Sequence, residues 1–183
     1  MLLPASKQLA LLVYLRSIPR CTATRDHIVE LLWADSDVAR GRQSLRQILS
    51  RLRQLLGEGA ITAQQDRLTL TLPLWHDREA FLDAITGGDL GSACELYHGP
   101  FLPEFASPGA VRFEHWAETE RQHLKVLFLR AGESLARDYL EQDPRAALRL
   151  TRRLRLEDSE SEAVWRLLLR AVLAIPDLVQ AAA

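Results

Sequence analysis

Between Val38 and Gly57 the chain carries five arginines and no acidic residue. Read at helical spacing, Leu45, Ile48, Leu49, Leu52, Leu55 and Leu56 fall on one side. Gln43, Arg46, Gln47, Ser50 and Gln54 fall on the other, with Arg40, Arg42, Arg51 and Arg53 on its flanks. An ordinary solvated helix face mixes both signs of charge. A face of Arg, Gln and Ser instead offers donors that phosphates and base edges accept: Arg can fork onto guanine, and Gln can pair both ways with adenine. Arginine also displaces condensed counterions from phosphates, so binding through this face would weaken with salt. The same pattern also fits a solvated basic helix facing an acidic partner.

The other chemistry-bearing residues are sparser. His115 with Glu118, and Glu120 with His123, have spacing that can ligate metal on bundle helices. One such stretch without matching carboxylates elsewhere reads as surface pairing. His27, His76 and His98 have no Cys or acid at ligand spacing. No nucleophile elbow, phosphate loop or dinucleotide fingerprint is present, so the sequence indicates neither catalytic residues nor a cofactor or metal.

Positioning the basic face requires neighbouring elements. Lys7 to Arg16 reads as a helix stopped by Pro19. A second helix, Arg25 to Trp33, follows a Thr22 or Thr24 cap. Asp35, Ser36 and Asp37 suit an N-cap for a third helix, Val38 to Leu56, which Gly57 and Gly59 end. Ile61 to Ala63 and Arg67 to Leu72, the latter alternating with period two, predict a β-hairpin around Gln64-Gln65-Asp66, with Gln64, Gln65 and Arg67 at or near its tip. Three helices and a hairpin make the layout of a winged helix.

After Pro73 the remainder reads as helical: 78–85, 89–97, 111–141, 144–156 with Pro144 opening it, and 159–174 with Ser159 and Glu162 at capping-box spacing. The last four read as TPR-like hairpins, without a strict repeat, and Pro176 begins a further stub. The expected fold is therefore mainly α: a winged helix-turn-helix over 1–73, then an all-α TPR-like domain over 74–183. Trp33, Trp75, Trp116 and Trp165 are read as core or interdomain anchors, and Trp116 could also line a peptide groove.

Composition supports a cytoplasmic protein. The 183 residues are long enough for one or two cores, and no apolar run of membrane-spanning length occurs. The start lacks the pattern of a secretory signal, and two widely separated cysteines make no disulfide framework or zinc site. Residues 1–72 carry ten basic and six acidic side chains, net +4; residues 73–183 carry thirteen and eighteen, net −5. A basic front on an acidic back suits one half that meets a polyanion.

Two stretches, Arg25 to Asp35 and Ser44 to Arg53 (SLRQILSRLR), resemble the OmpR/PhoB-type winged helix of the SARP-like (antibiotic-regulatory-protein-like) regulators. Leu96 to Pro103 (LYHGPFLP) and Phe113 to Arg121 (FEHWAETER) resemble the bacterial transcriptional activator domain of the same regulators. The resemblance spans roughly 5–175. It implies binding to promoter double-stranded DNA, often as a dimer on repeated half-sites, with contact to RNA polymerase. It places Arg51 and Arg53 where relatives touch base edges and phosphate, and Arg46, Gln47 and Ser50 at base-facing positions of variable type. Gln43 stands where relatives often have a phosphate-binding arginine. The loop from Ala34 to Arg40 corresponds to one that can touch polymerase.

Two departures stand out. The small β-sheet that usually precedes the first helix is missing, and Asp66-Arg67 replaces a Gly-Tyr pair in the wing. The chain end reads as a fragment or a short family member. The resulting expectation is a DNA-binding transcription regulator whose second domain mediates dimerisation or transmits a signal. The alternative is a TPR-like protein–protein interaction module with a vestigial winged helix.

Overall fold

A computed structural model describes residues 6–103 and 105–176. By residue contacts the chain groups into two units, 1–76 with 102–120, and 77–101 with 121–183. The return of residues 102–120 to the first unit was not expected. The stub expected after Pro176 lies outside the described residues.

In the first unit, α1 (Lys7–Ser17) is followed by a 3₁₀ turn, Pro19–Cys21, and a short strand, β1 (Thr22–Thr24). Then come α2 (Arg25–Leu32), α3 (Val38–Leu56), β2 (Ile61–Gln64) and β3 (Arg67–Leu70). The three strands form an antiparallel sheet of order β1-β3-β2. Ala23 and Ala63 flank Leu68 in register, while the Thr22 and Thr69 hydroxyls meet at 2.9 Å. The strand β1 was not expected. Arg20 (φ 58) and Cys21 (φ 49) take left-handed conformations that turn the chain into it. Of the two threonines offered as caps, Thr24 caps α2, accepting the His27 N–H at 3.3 Å.

Leu11 and Leu15 of α1, Ile28 and Leu32 of α2, Leu45 and Leu52 of α3, and Ile61 and Leu68 of the sheet are buried together. Each such side chain gains about 1.5–3 kcal/mol from leaving water. Ala110, Phe113 and Ala117, from the segment that returns to this unit, are buried in the same cluster. Trp116 is half-buried against this core, meeting Tyr14 edge-on at 5.0 Å and Phe113 at 5.3 Å.

The second unit contains α4 (Asp77–Gly87), α5 (Leu90–Leu96), the later part of α6 (Val111–Gln142), α7 (Pro144–Glu157) and α8 (Glu162–Leu173). Close backbone packing joins α4 to α5 and α7 to α8. Thus the short helix expected before the hairpins is itself the close partner of α5. Asp143 caps α7 ahead of Pro144, accepting from Arg145 N and Ala146 N at 3.0 Å. The cap of α8 is Ser161, which accepts from Val164 N at 3.4 Å. This replaces the expected Ser159–Glu162 box: the helix begins at Glu162, so Ser159 lies too far upstream.

Phe81, Phe128, Leu154 and Val164 are buried in this unit, with Tyr97 stacked on Phe128 at 4.2 Å and 9°. Arg153 ties the end of α5 to α7, donating from Nη2 to the carbonyls of Cys94 (2.8 Å) and Tyr97 (2.7 Å). Two tryptophans are not anchors: Trp75 is 76% exposed and Trp165 39% exposed. The indole N–H of Trp165 donates to the Ser159 carbonyl at 2.8 Å, and Arg155 covers its ring at 5.3 Å. Among the described residues, the fold is mainly helical with one small sheet, and no helix is long and apolar enough to cross a membrane.

Candidate nucleic-acid interface

The helix α3 starts at an aspartate cap. Asp37 Oδ1 accepts from Ala39 N at 2.8 Å and Arg40 N at 3.3 Å, satisfying two N–H groups that the first turn leaves open. It ends where Gly57, at φ 100, donates its N–H to the Arg53 carbonyl at 2.8 Å. Gly41, Leu45, Ile48, Leu49 and Leu52 form its buried side. Leu55, assigned to that side from spacing, is 46% exposed at the edge of the stripe in the last turn, while Leu56 packs partly against the core.

The opposite side is open. Arg40, Arg42, Gln43, Arg46, Gln47, Ser50, Arg51 and Gln54 are all exposed. No hydrogen bond or ion pair engages Arg40, Arg46 or Arg51 among the described residues. Two arginines of the set are engaged. Arg53 is half-buried and donates from Nε and Nη2 to the Ile61 carbonyl, each at 3.1 Å, tying the end of α3 to β2. Arg42 donates from Nε (3.1 Å) and Nη2 (2.8 Å) to Asp26 Oδ1. That hydrogen bond and the Asp26 charge raise the Arg42 pKa further above its ordinary value.

The hairpin places Arg67, at the start of β3, in register with Gln64 at the end of β2, beside a turn in which Gln65 takes φ 53. Gln64, Gln65, Asp66 and Arg67 are exposed. The Asp66 carbonyl accepts the Arg25 N–H at 2.8 Å, which fixes the turn against the start of α2. The structure therefore adds Arg25, Asp26 and Asp66 to the residues selected from spacing. One hollow of about 340 Å³ is lined by Arg25, Asp26, Arg42, Leu45, Arg46 and Asp66. A neighbouring one of about 350 Å³ is lined by Arg25, Arg46, Leu49, Ser50, Arg53 and Glu58. Arg25 and Arg46 line both. The sequence signal for Arg25 was its place directly after the Thr24 cap, next to the tip of the hairpin only in three dimensions.

The histidine pairs on α6 do not gather further ligands. Among the described residues, no group of three or more His, Cys, Asp or Glu side chains could hold a metal ion.

Comparison with curated protein sequences gives no match. Residues 83–176 match the family model described as the bacterial transcriptional activator domain. That stretch runs from within α4 past the end of α8. It covers just over half of the chain, which therefore belongs to the bacterial transcriptional activator domain family, a class of transcription regulators.

Proposed function

We propose that this chain is a DNA-binding transcription regulator whose first unit acts as an OmpR/PhoB-type winged helix-turn-helix. In this reading α3 enters the major groove of promoter DNA and the β2–β3 turn acts as the wing. The observation that carries it is the acid-free exposed face of α3. Arg46, Gln47, Ser50 and Gln54 stand opposite the buried leucines, where a major groove would receive them. Arg40, Gln43 and Arg51 flank them as phosphate ligands, and Arg67 reaches backbone or minor groove from the wing. Arg53 supports the site by holding the wing strand through the Ile61 carbonyl. Arg42 joins the phosphate contacts only when freed from Asp26. The helical second unit, TPR-like in the order of its helices, would mediate dimerisation, signalling or contact with RNA polymerase. The exposed loop residues Ala34, Asp35 and Asp37 before α3 are the proposed polymerase face. The setting is the bacterial cytoplasm.

The test is fluorescence anisotropy on a random duplex titrated with salt. Log affinity is expected to fall linearly with log salt, with a slope of about −0.9 per phosphate contacted. Arg51→Ala should weaken binding and shallow the slope by about one contact, with unchanged thermal stability. A folded chain that binds no duplex even at low salt would sink this reading. It would leave the alternative, a TPR-like interaction module with a vestigial winged helix. One observation favours that alternative: Trp165, Leu169 and Leu173 form an exposed apolar line along α8.

A further inference from the structure

Of the acidic side chains that border the arginine hollows of the first unit, Asp26 is the one that hydrogen-bonds an arginine of α3. Asp26, second residue of α2, holds Arg42 through two donors on a single oxygen, at 3.1 and 2.8 Å. Both side chains are more than half exposed, 55% for Arg42 and 60% for Asp26. An ion pair so open to water contributes little to folding stability. Its effect falls instead on what Arg42 can bind. Asp26 and Asp66 share a hollow with the guanidinium groups of Arg25, Arg42 and Arg46, so a phosphate approaching Arg42 meets two carboxylates. Asp26 lies in the first turn of α2, a position where the helix dipole attracts negative charge.

A comparison is built into the same helix. Glu30, one turn after Asp26, is equally exposed and pairs with Arg112 instead of an arginine of α3. It borders a separate hollow that also touches Arg42. The two acids therefore carry the same charge on the same helix, and only one engages the DNA-facing helix.

We propose that Asp26 is a guard carboxylate: it occupies Arg42 and thereby lowers affinity for DNA that offers phosphates without the right sequence. The inference rests on the DNA-binding reading above. A duplex held only by its backbone does not displace Asp26. A fully docked site, with α3 seated in the groove, brings a phosphate close enough to compete for Arg42. Asp26 thus widens the gap between specific and random binding by acting on the weaker of the two.

The experiment uses the full chain and a fluorescein-labelled random duplex, titrated over salt, with thermal unfolding recorded for every variant. Asp26→Asn is expected to bind about tenfold tighter, with a salt slope steeper by about 0.9, one additional phosphate. Glu30→Gln, which changes net charge equally, should shift affinity by less than about threefold. In an Arg42→Ala background, Asp26→Asn should change affinity by less than about twofold, because the guarded group is gone. The inference is overturned if Asp26→Asn leaves affinity and slope unchanged, if Glu30→Gln tightens binding equally, or if the gain survives without Arg42. Any of these results with a parent that binds duplex leaves the DNA-binding reading intact. A folded parent and a folded Asp26→Asn chain that both fail to bind at low salt would overturn both.

Discussion

Arg53 and Arg51 stand two positions apart in one motif, yet their surroundings give them different work. The Arg51 side chain is exposed, whereas Arg53 spends two of its donors on a backbone carbonyl across the unit. A hydrogen bond from a charged donor contributes about 1.5–3 kcal/mol when buried, and less for a half-exposed group. Arg53→Ala is therefore expected to cost about 1–2 kcal/mol, lowering the melting temperature by about 2–6 °C, as read by circular dichroism. An unchanged melting temperature would free Arg53 from this structural role. Spacing alone identified the arginines but not their partners. Asp26 lies sixteen residues from Arg42, and the Ile61 acceptor is a main-chain oxygen that no residue type announces.

The two cysteines also separate by environment. Cys94 is buried, and burial pushes its thiol up to about 11, with Arg153 opposing the shift. The unfolded thiol ionises from its ordinary value of 9.0, while the folded one keeps its proton to about 11. The folded state therefore binds the extra proton, and stability falls as pH rises through this window, by up to about 1.4 kcal/mol per pH unit. Cys94→Ala should flatten the decline between pH 9 and 10 in urea titrations. In the native protein a thiol reagent at pH 8 should modify Cys21 and spare Cys94 until denaturant is added.

At the scale of elements, capping residues and apolar spacing made most helices legible. Asp37, Gly57 and Pro144 mark ends that the structure places within a residue of expectation. The strand β1 was not legible, because three residues are too few to show an alternating pattern and pairing with β3 is decided far along the chain. Which of two nearby serines caps α8 was equally hidden, since both fit the local rule.

Two glycines inside helices mark close approaches that sequence also concealed. A Cβ on Gly41 would lie 2.7 Å from Val29 Cγ1, where α3 crosses α2. One on Gly132 of α6 would meet Leu154 Cδ2 on α7. Alanine gains about 1 kcal/mol of helix propensity over glycine, but overpacking costs about 1–3 kcal/mol where neighbours cannot yield. Val29 is buried and stiff at χ1, so Gly41→Ala should destabilise by about 1 kcal/mol in urea unfolding. Gly59→Ala, which meets nothing within 4 Å, should stay within about 0.5 kcal/mol of the parent. Equal stability of the two variants would mean that α2 and α3 can move apart at no cost.

At the scale of the whole molecule, the first unit is discontinuous in sequence. Ala110, Phe113 and Ala117 are buried in its core at 0–1% exposure although they lie beyond α4 and α5 in the chain. Loss of a buried phenylalanine alone costs about 3–5 kcal/mol against a domain stability of about 5–15 kcal/mol. A fragment of residues 1–76 should therefore unfold without a cooperative transition, and adding residues 102–120 as a peptide should restore one. A fragment that melts as cooperatively as the intact chain would show that the returning segment is dispensable. The sequence pattern made the three helices and the hairpin of the first unit readable but placed one clean boundary after residue 73. Nothing in the apolar spacing of 111–141 says that its first turns serve a different core from its later ones.

This return of the chain has a consequence for biosynthesis. As the nascent polypeptide leaves the ribosome, helices α1 to α3 and the sheet emerge first, but their core stays open where Phe113 belongs. Before that residue appears, α4 and α5 are already out, and their own partners Phe128, Leu154 and Val164 come later still. For part of translation two half-built apolar surfaces coexist on one chain. Such intermediates associate wrongly, and chaperones act on them. The core of the first unit cannot close until residues 102–120 have emerged, so a translational pause placed just before them is expected to prolong the exposure of its apolar surface.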